Sequence, residues 1–251
     1  MNQLLHQHTE SIVSAAIHAG LPDVAVVRAL QGYRFGTGKI VLVAAGKAAW
    51  QMANAASDCL GNRIADGVVV TKYGHIKGPI AHIRCFEGGH PVPDDGSCRG
   101  TQAALDLVHG LTPQDTVVFL LSGGGSALLE KPLIPLDELQ DITQQLLGCG
   151  ADIVEINTIR KRLSAVKGGR FAMACAPAQV LCVVLSDVLG DPLDMIASGP
   201  ACADSSTCKD AENVVKKYGL HLSADALACL RKETPKQIDN VTTVSYTHLT
   251  L

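Results

Sequence analysis

The segment Ser122-Gly123-Gly124-Gly125-Ser126 follows the apolar run Thr116 to Leu121 without a break. Three glycines in a row leave their main-chain N–H groups bare. Adjacent bare donors form a concave site for an anion, and the hydroxyls of Ser122 and Ser126 can add donors to it. The competing reading is a flexible tight turn, since each ordered glycine costs roughly 1 kcal/mol relative to alanine. Two sharper motifs fail on one letter. Leu128 stands where a serine-hydrolase elbow around Ser126 needs its last glycine, and also where a dinucleotide fingerprint begun at Gly123 needs its third.

A second candidate is Gly46-Lys47, which follows the run Lys39 to Ala45. Gly46 permits a tight turn, and Lys47 is expected in the opening turn of a helix, where a cation has the wrong sign for the helix dipole. A bound anion would repair that. The usual nucleotide-binding loop is excluded, because Val41 and Ala48 occupy positions that require glycine and Ser or Thr. After the run Gln179 to Leu185 come Asp187, Asp191 and Asp194. Asp187, at a strand end, suits a general base or a Mg²⁺-binding carboxylate; Asp191 can join it on the metal, and Asp194 reads as a helix cap. In the basic segment Asn157 to Arg170, helical spacing puts Asn157, Lys161 and Ser164 on one side, so that stripe could line an anion pocket. His90, in Glu87-Gly-Gly-His-Pro-Val-Pro-Asp94, reads equally as a ligand contact or a hydrogen-bonded structural histidine.

Something must hold these groups in place. Apolar runs at 39–45, 67–72, 83–87, 116–121 and 179–185 are uniformly apolar, not alternating, as in strands covered on both faces. Helical patterns at 4–19, 23–30, 47–60, 98–109, 136–147, 157–168 and 211–218 separate or flank them. The reading is a doubly wound α/β fold, Rossmann-like, with a mostly parallel sheet and helices on both faces. In such sheets ligands sit beyond the carboxyl ends of the strands, where the candidates above fall.

With 251 residues, 47% of them hydrophobic, the chain can bury a large core; 18% charged residues and a net charge of -3 exclude an electrostatic case for nucleic acid or an anionic membrane. Nine cysteines without a C-x-x-C suggest neither a zinc site nor a disulfide framework. The expected setting is cytoplasmic and the expected partner a small molecule, with a homo-oligomer left open.

Taken together and in order, "AAGKAA", "EGGHPVPD", "LLSGGGSALL", "NTIRKRLSAVKGGR" and "LSDVLGDPLDMIASGP" resemble the N-terminal domain of the glycerate kinases that end in a MOFRL domain. The resemblance implies transfer of a phosphoryl group from ATP, with Mg²⁺, to D-glycerate, giving 2-phosphoglycerate. It implies Lys47 as a phosphate or glycerate contact, Gly46 and the turn Ser122, Gly123, Gly124, Gly125, Ser126 as the nucleotide or phosphate cradle, and Asp187 as base or metal ligand beside Asp191. His90, Asn157 and Lys161 would face the substrate. The likeness runs from about Leu4 to about Lys236, in a kinase N-terminal domain expected over residues 1–240; 241–251 read as a foreign tail, the MOFRL domain is expected to be missing, and the chain alone is expected to be nearly inactive. Alternatives are an NAD(P)H-dependent hydroxypyruvate reductase, a label that relatives also carry, and a non-catalytic sugar-acid or phosphate-binding domain.

Overall fold

The computed structural model describes residues 3–19, 21–186 and 193–247. Its frame is six strands: β1 Ile40–Ala45, β2 Ile64–Lys72, β3 Ile83–Gly88, β4 Thr116–Leu121, β5 Gln179–Ser186 and β6 Val241–Thr247. All pairings are parallel, in the order β3-β2-β1-β4-β5-β6. The order reverses between β1 and β4, which run in register from Ile40 opposite Thr116 to Ala45 opposite Leu121. Chain crossing to either side leaves a crevice at the carboxyl ends of this pair, the usual ligand position in such sheets. The five apolar runs correspond to the first five strands. The sixth falls in the stretch read as a tail: Val241 to Thr247, rich in β-branched residues, pairs along β5 from Val180 to Ser186.

Uniformly apolar strands require cover on both faces, and they receive it. Every residue of β1 and β4 is buried. On one face, Val41, Val43, Phe119 and Leu121 pack under α4 (Asp95–Val108) and α8 (Arg170–Cys175), where the rings of Phe119 and Phe171 lie 4.5 Å apart. Each fully buried side chain of this size contributes roughly 1.5–3 kcal/mol. On the other face, Leu42, Ala44, Val118 and Leu120 pack under α2 (Pro22–Gly32) and α3 (Ala49–Leu60). A separate apolar cluster binds α6 (Leu136–Gly148), α7 (Ile153–Arg162), α9 (Cys208–Tyr218) and α10 (Ala224–Leu230) through Leu139, Ile142, Ile159 and Val214. The helix α1 (Gln3–Ala19) precedes these, and the four-residue α5 (Gly125–Leu128) follows β4 directly.

Several helix boundaries depart from expectation. α3 opens at Ala49, so Lys47 lies in the turn before the helix and not in its first turn. The basic helix begins earlier than Asn157, because Asp152 and Glu155 form a reciprocal capping box. It also ends at Arg162, leaving Ser164 outside the helix, bridged to Pro132. Gly168 and Gly169, both with positive φ, lead into α8.

Candidate functional site

The loops leaving β1 and β4 are laced together. Gly46, at φ 124°, donates its amide to the Val70 carbonyl (3.1 Å), and a side chain there would collide with Ser122. Lys47 donates its amide to the Gly123 carbonyl (2.9 Å), and the Ala48 amide donates to Ser122 Oγ (3.0 Å). Thr71 Oγ1 donates to the Gly46 carbonyl at 3.0 Å, and His75 Nδ1 lies 2.9 Å from the Lys47 carbonyl. Ser122 is therefore a buried strut, 2% exposed, whose hydroxyl serves the main chain.

The glycine turn opens toward Lys47 and His90. Gly124 has φ 86°, and a Cβ placed on it would lie 2.9 Å from His90 Cδ2, 3.1 Å from His90 Nε2 and 3.2 Å from Lys47 Cγ. Histidine, lysine stem and bare backbone thus share one spot, and only glycine leaves room for them. The amides of Gly123 and Gly124 donate to no described residue. Lys47 is exposed and His90 half-buried. Burial first, then the ammonium groups of Lys47 and Lys72, hold the His90 imidazole below its ordinary value. A neutral ring at pH 7 can still donate from one nitrogen. A cavity of about 260 Å³ lined by Lys47, Ala48, Trp50, Gln51, His75 and Lys77 flanks the lysine.

Asn157 and Lys161 are buried behind the glycine turn, Asn157 one hydroxyl removed from Ser126. Asn157 is 2% exposed, accepting from Ser198 Oγ (2.9 Å) and donating to Met195 Sδ (3.4 Å). The Lys161 ammonium, 1% exposed, lies 3.1 Å from Asp204 Oδ1 and 3.5 Å from Asp194 Oδ2, so the Lys161 stripe is a buried ion pair. Asp194, read as a cap, is one of its partners. Asp187 and Asp191 lie outside the described residues. Among the described residues no group of three or more His, Cys, Asp or Glu side chains is placed to hold a metal ion.

Several neighbours escaped sequence reasoning. Ser126 Oγ lies 3.1 Å from Ser198 Oγ, and Arg160 donates to the Ser126 carbonyl (3.0 Å) from behind the turn. Ala197 and Ser198 hold left-handed φ values of 51° and 61°, with Ala197 Cβ against Gly125. Next to them, Lys167 and Glu130 form a fully buried pair at 2.6 Å, and Lys167 also donates to the Leu129 carbonyl. Burial pushes the Lys167 ammonium down to about 8 against the pull of Glu130. The only sequence signal for this shell was the density of basic residues between 160 and 170, which reads more simply as a solvated face.

A family model described as a domain of unknown function, DUF4147, matches residues 8–231. The chain belongs to this family. A DUF4147 relative from Thermotoga maritima named D-glycerate 2-kinase is 53% identical over 232 residues, covering 92% of this chain and 55% of that protein. The crystal structure of a glycerate kinase from the same organism superposes with a TM-score of 0.91 at 50% identity, over 97% of this chain and 59% of that one. A relative from Agrobacterium vitis with the provisional name hydroxypyruvate reductase is 42% identical over 229 residues, 90% of this chain and 52% of the relative. The chain thus spans about half the length of the curated relatives it matches. No described helix is long and apolar enough to cross a membrane.

Proposed function

We propose that this DUF4147 chain forms the acceptor half of a glycerate kinase, holding a negatively charged group where the glycine turn, Lys47 and His90 meet. The carrying observation is how closely Gly124, His90 and Lys47 converge: a Cβ at Gly124 would lie 2.9 Å from His90 Cδ2 and 3.2 Å from Lys47 Cγ, so the bare turn, the imidazole and the lysine stem meet at one point. A carboxylate or a transferring phosphoryl group bound beside that point would be met by main-chain amides, an ammonium and a neutral imidazole, all of which offer protons. Phosphoryl transfer asks little more of a protein than positioning and positive charge on the phosphate oxygens. In this reading Lys47 supplies the charge, His90 a directed donor and Ser122 the rigidity. ATP would supply the phosphoryl group, and its anionic phosphates match the same donors. Mg²⁺ would neutralise charge on the phosphates, held by Asp187 and Asp191. D-glycerate is the acceptor that the named kinases among the relatives support.

The test is release of ADP from ATP and Mg²⁺ on adding D-glycerate to the chain together with the remaining portion of a full-length relative. Turnover that disappears in Lys47→Met supports the proposal. No ADP release, with oxidation of NADH on adding hydroxypyruvate, would replace it by the reductase reading, against which the missing third fingerprint glycine at Leu128 stands.

A further inference from the structure

The hydroxyl of Ser126 was expected to add a donor to the anion cradle, but the protons behind it run the other way. Asn157 Nδ2 lies 3.4 Å from Met195 Sδ. A thioether only accepts, so the amide nitrogen belongs on that side and Oδ1 faces Ser198. Ser198 Oγ, 2.9 Å away, must donate to Oδ1. A serine hydroxyl has one proton, and that of Ser198 is now spent. The 3.1 Å contact between the two serines therefore has Ser126 as its donor. With its proton directed at Ser198, Ser126 Oγ presents only lone pairs on its remaining side. Ser198 is fully buried and Asn157 2% exposed, so water does not compete for the relay.

We infer that Ser126 Oγ accepts a hydrogen bond from a hydroxyl of the bound hydroxy acid, and that Asn157 and Ser198 are positioning residues which set this polarity. The inference rests on the kinase reading and adds to it a division of labour. Amides and Lys47 take the negatively charged end, while Ser126, two residues beyond Gly124, takes a neutral donor. A metal ion is a poorer occupant, because the Arg160 guanidinium donates to the Ser126 carbonyl at 3.0 Å and already places a positive charge on this residue. The left-handed backbone at Ala197 and Ser198, uncommon for residues other than glycine, is consistent with a segment held for the placement of one hydroxyl.

Two measurements decide it. In a neutron structure of the deuterium-exchanged chain, the Ser126 deuterium should lie on the line to Ser198; a deuterium turned away from Ser198 overturns the relay whatever the ligand. Calorimetric titration with D-glycerate and with inorganic phosphate, on wild type and Ser126→Ala, reads the ligand side. Loss of one neutral hydrogen bond should weaken D-glycerate about three- to tenfold and leave phosphate within twofold. Ser198→Ala, which frees the Ser126 proton, should narrow that selectivity, whereas a merely structural role would weaken both ligands together. Equal weakening of both ligands in Ser126→Ala makes Ser126 an anion donor and sinks this inference alone. Wild-type chain that binds phosphate but not D-glycerate sinks the substrate assignment and this inference with it.

Discussion

Gly124→Ala probes the centre of the site with one methyl group. At φ 86° an alanine carries a left-handed backbone cost, roughly 1–2 kcal/mol. Its Cβ would lie 2.9 Å from His90 Cδ2 and 3.2 Å from Lys47 Cγ, inside ordinary van der Waals contact. Both neighbours are partly exposed side chains, so the clash is relieved by the ring and the stem moving outward. The fold should survive, with a loss of roughly 2–8 °C in Tm for a chain of this size. The site should not. A charge-assisted hydrogen bond from the imidazole is worth about 1.5–3 kcal/mol, so displacing His90 should weaken phosphate binding about ten- to a hundredfold. The assay is calorimetric titration with phosphate, paired with an NMR titration of the histidines. In wild type His90 should titrate below 6.5, because burial and two ammonium groups disfavour its charged form. In Gly124→Ala a ring pushed into water should titrate closer to the free value. A well-folded variant with unchanged phosphate affinity and unchanged His90 titration would refute the cradle.

Lys47→Met should leave Tm within a degree or two, since the residue is exposed. It should weaken phosphate by a factor between about five and several hundred, the span given by about 1 kcal/mol in water and about 4 kcal/mol at an effective dielectric of 20. It should also raise the His90 pKa, as one of its two depressing charges is gone. Lys167→Met strands a fully buried Glu130 carboxylate and should destabilise the chain by about 3–5 kcal/mol, whereas Glu130→Leu combined with Lys167→Met should recover most of that in a denaturant titration. Asp204 accepts from Lys161, Ser206 and Thr234, so Asp204→Asn should cost a comparable amount at pH 7. Burial alone would raise Asp204, but the Thr234 hydrogen bond and the Lys161 charge hold it below 3.8. A depressed carboxylate stabilises the fold above its unfolded value, so the gap between wild type and Asp204→Asn should be full at pH 5. It should close only as pH falls below about 4, through the depressed pKa.

How much of this the letters disclosed depends on the kind of signal each feature carries. Uniformly apolar runs punctuated by glycine fixed five strands and their parallel pairing, and with them the crevice at Gly46 and Ser122. Glycines with positive φ are equally readable, because no other residue is comfortable there. Burial of charge is different. Lys161 reads from its spacing as part of a stripe lining an anion pocket, and only three-dimensional proximity to Asp204 and Glu130 makes Lys161, Arg162 and Lys167 partners in buried ion pairs. The start of the basic helix ahead of Asn157 is legible in the letters too, in the capping pair Asp152 and Glu155. Ser198 gave no signal, since its role depends on a chain segment 41 residues from Asn157 arriving at the glycine turn.

The cross-stitching of the β1 and β4 loops bears on how fast a ligand is captured. Hydrogen bonds to Val70, Thr71, His75 and Gly123, and between Ala48 and Ser122, already pin Gly46, Lys47, Ala48 and Ser122 in place. An incoming anion therefore meets a mould that has set, and little ordering entropy is left to be lost on arrival. Encounter should then be governed by diffusion and by the field of the exposed lysine, with residence time left to the contacts formed afterwards.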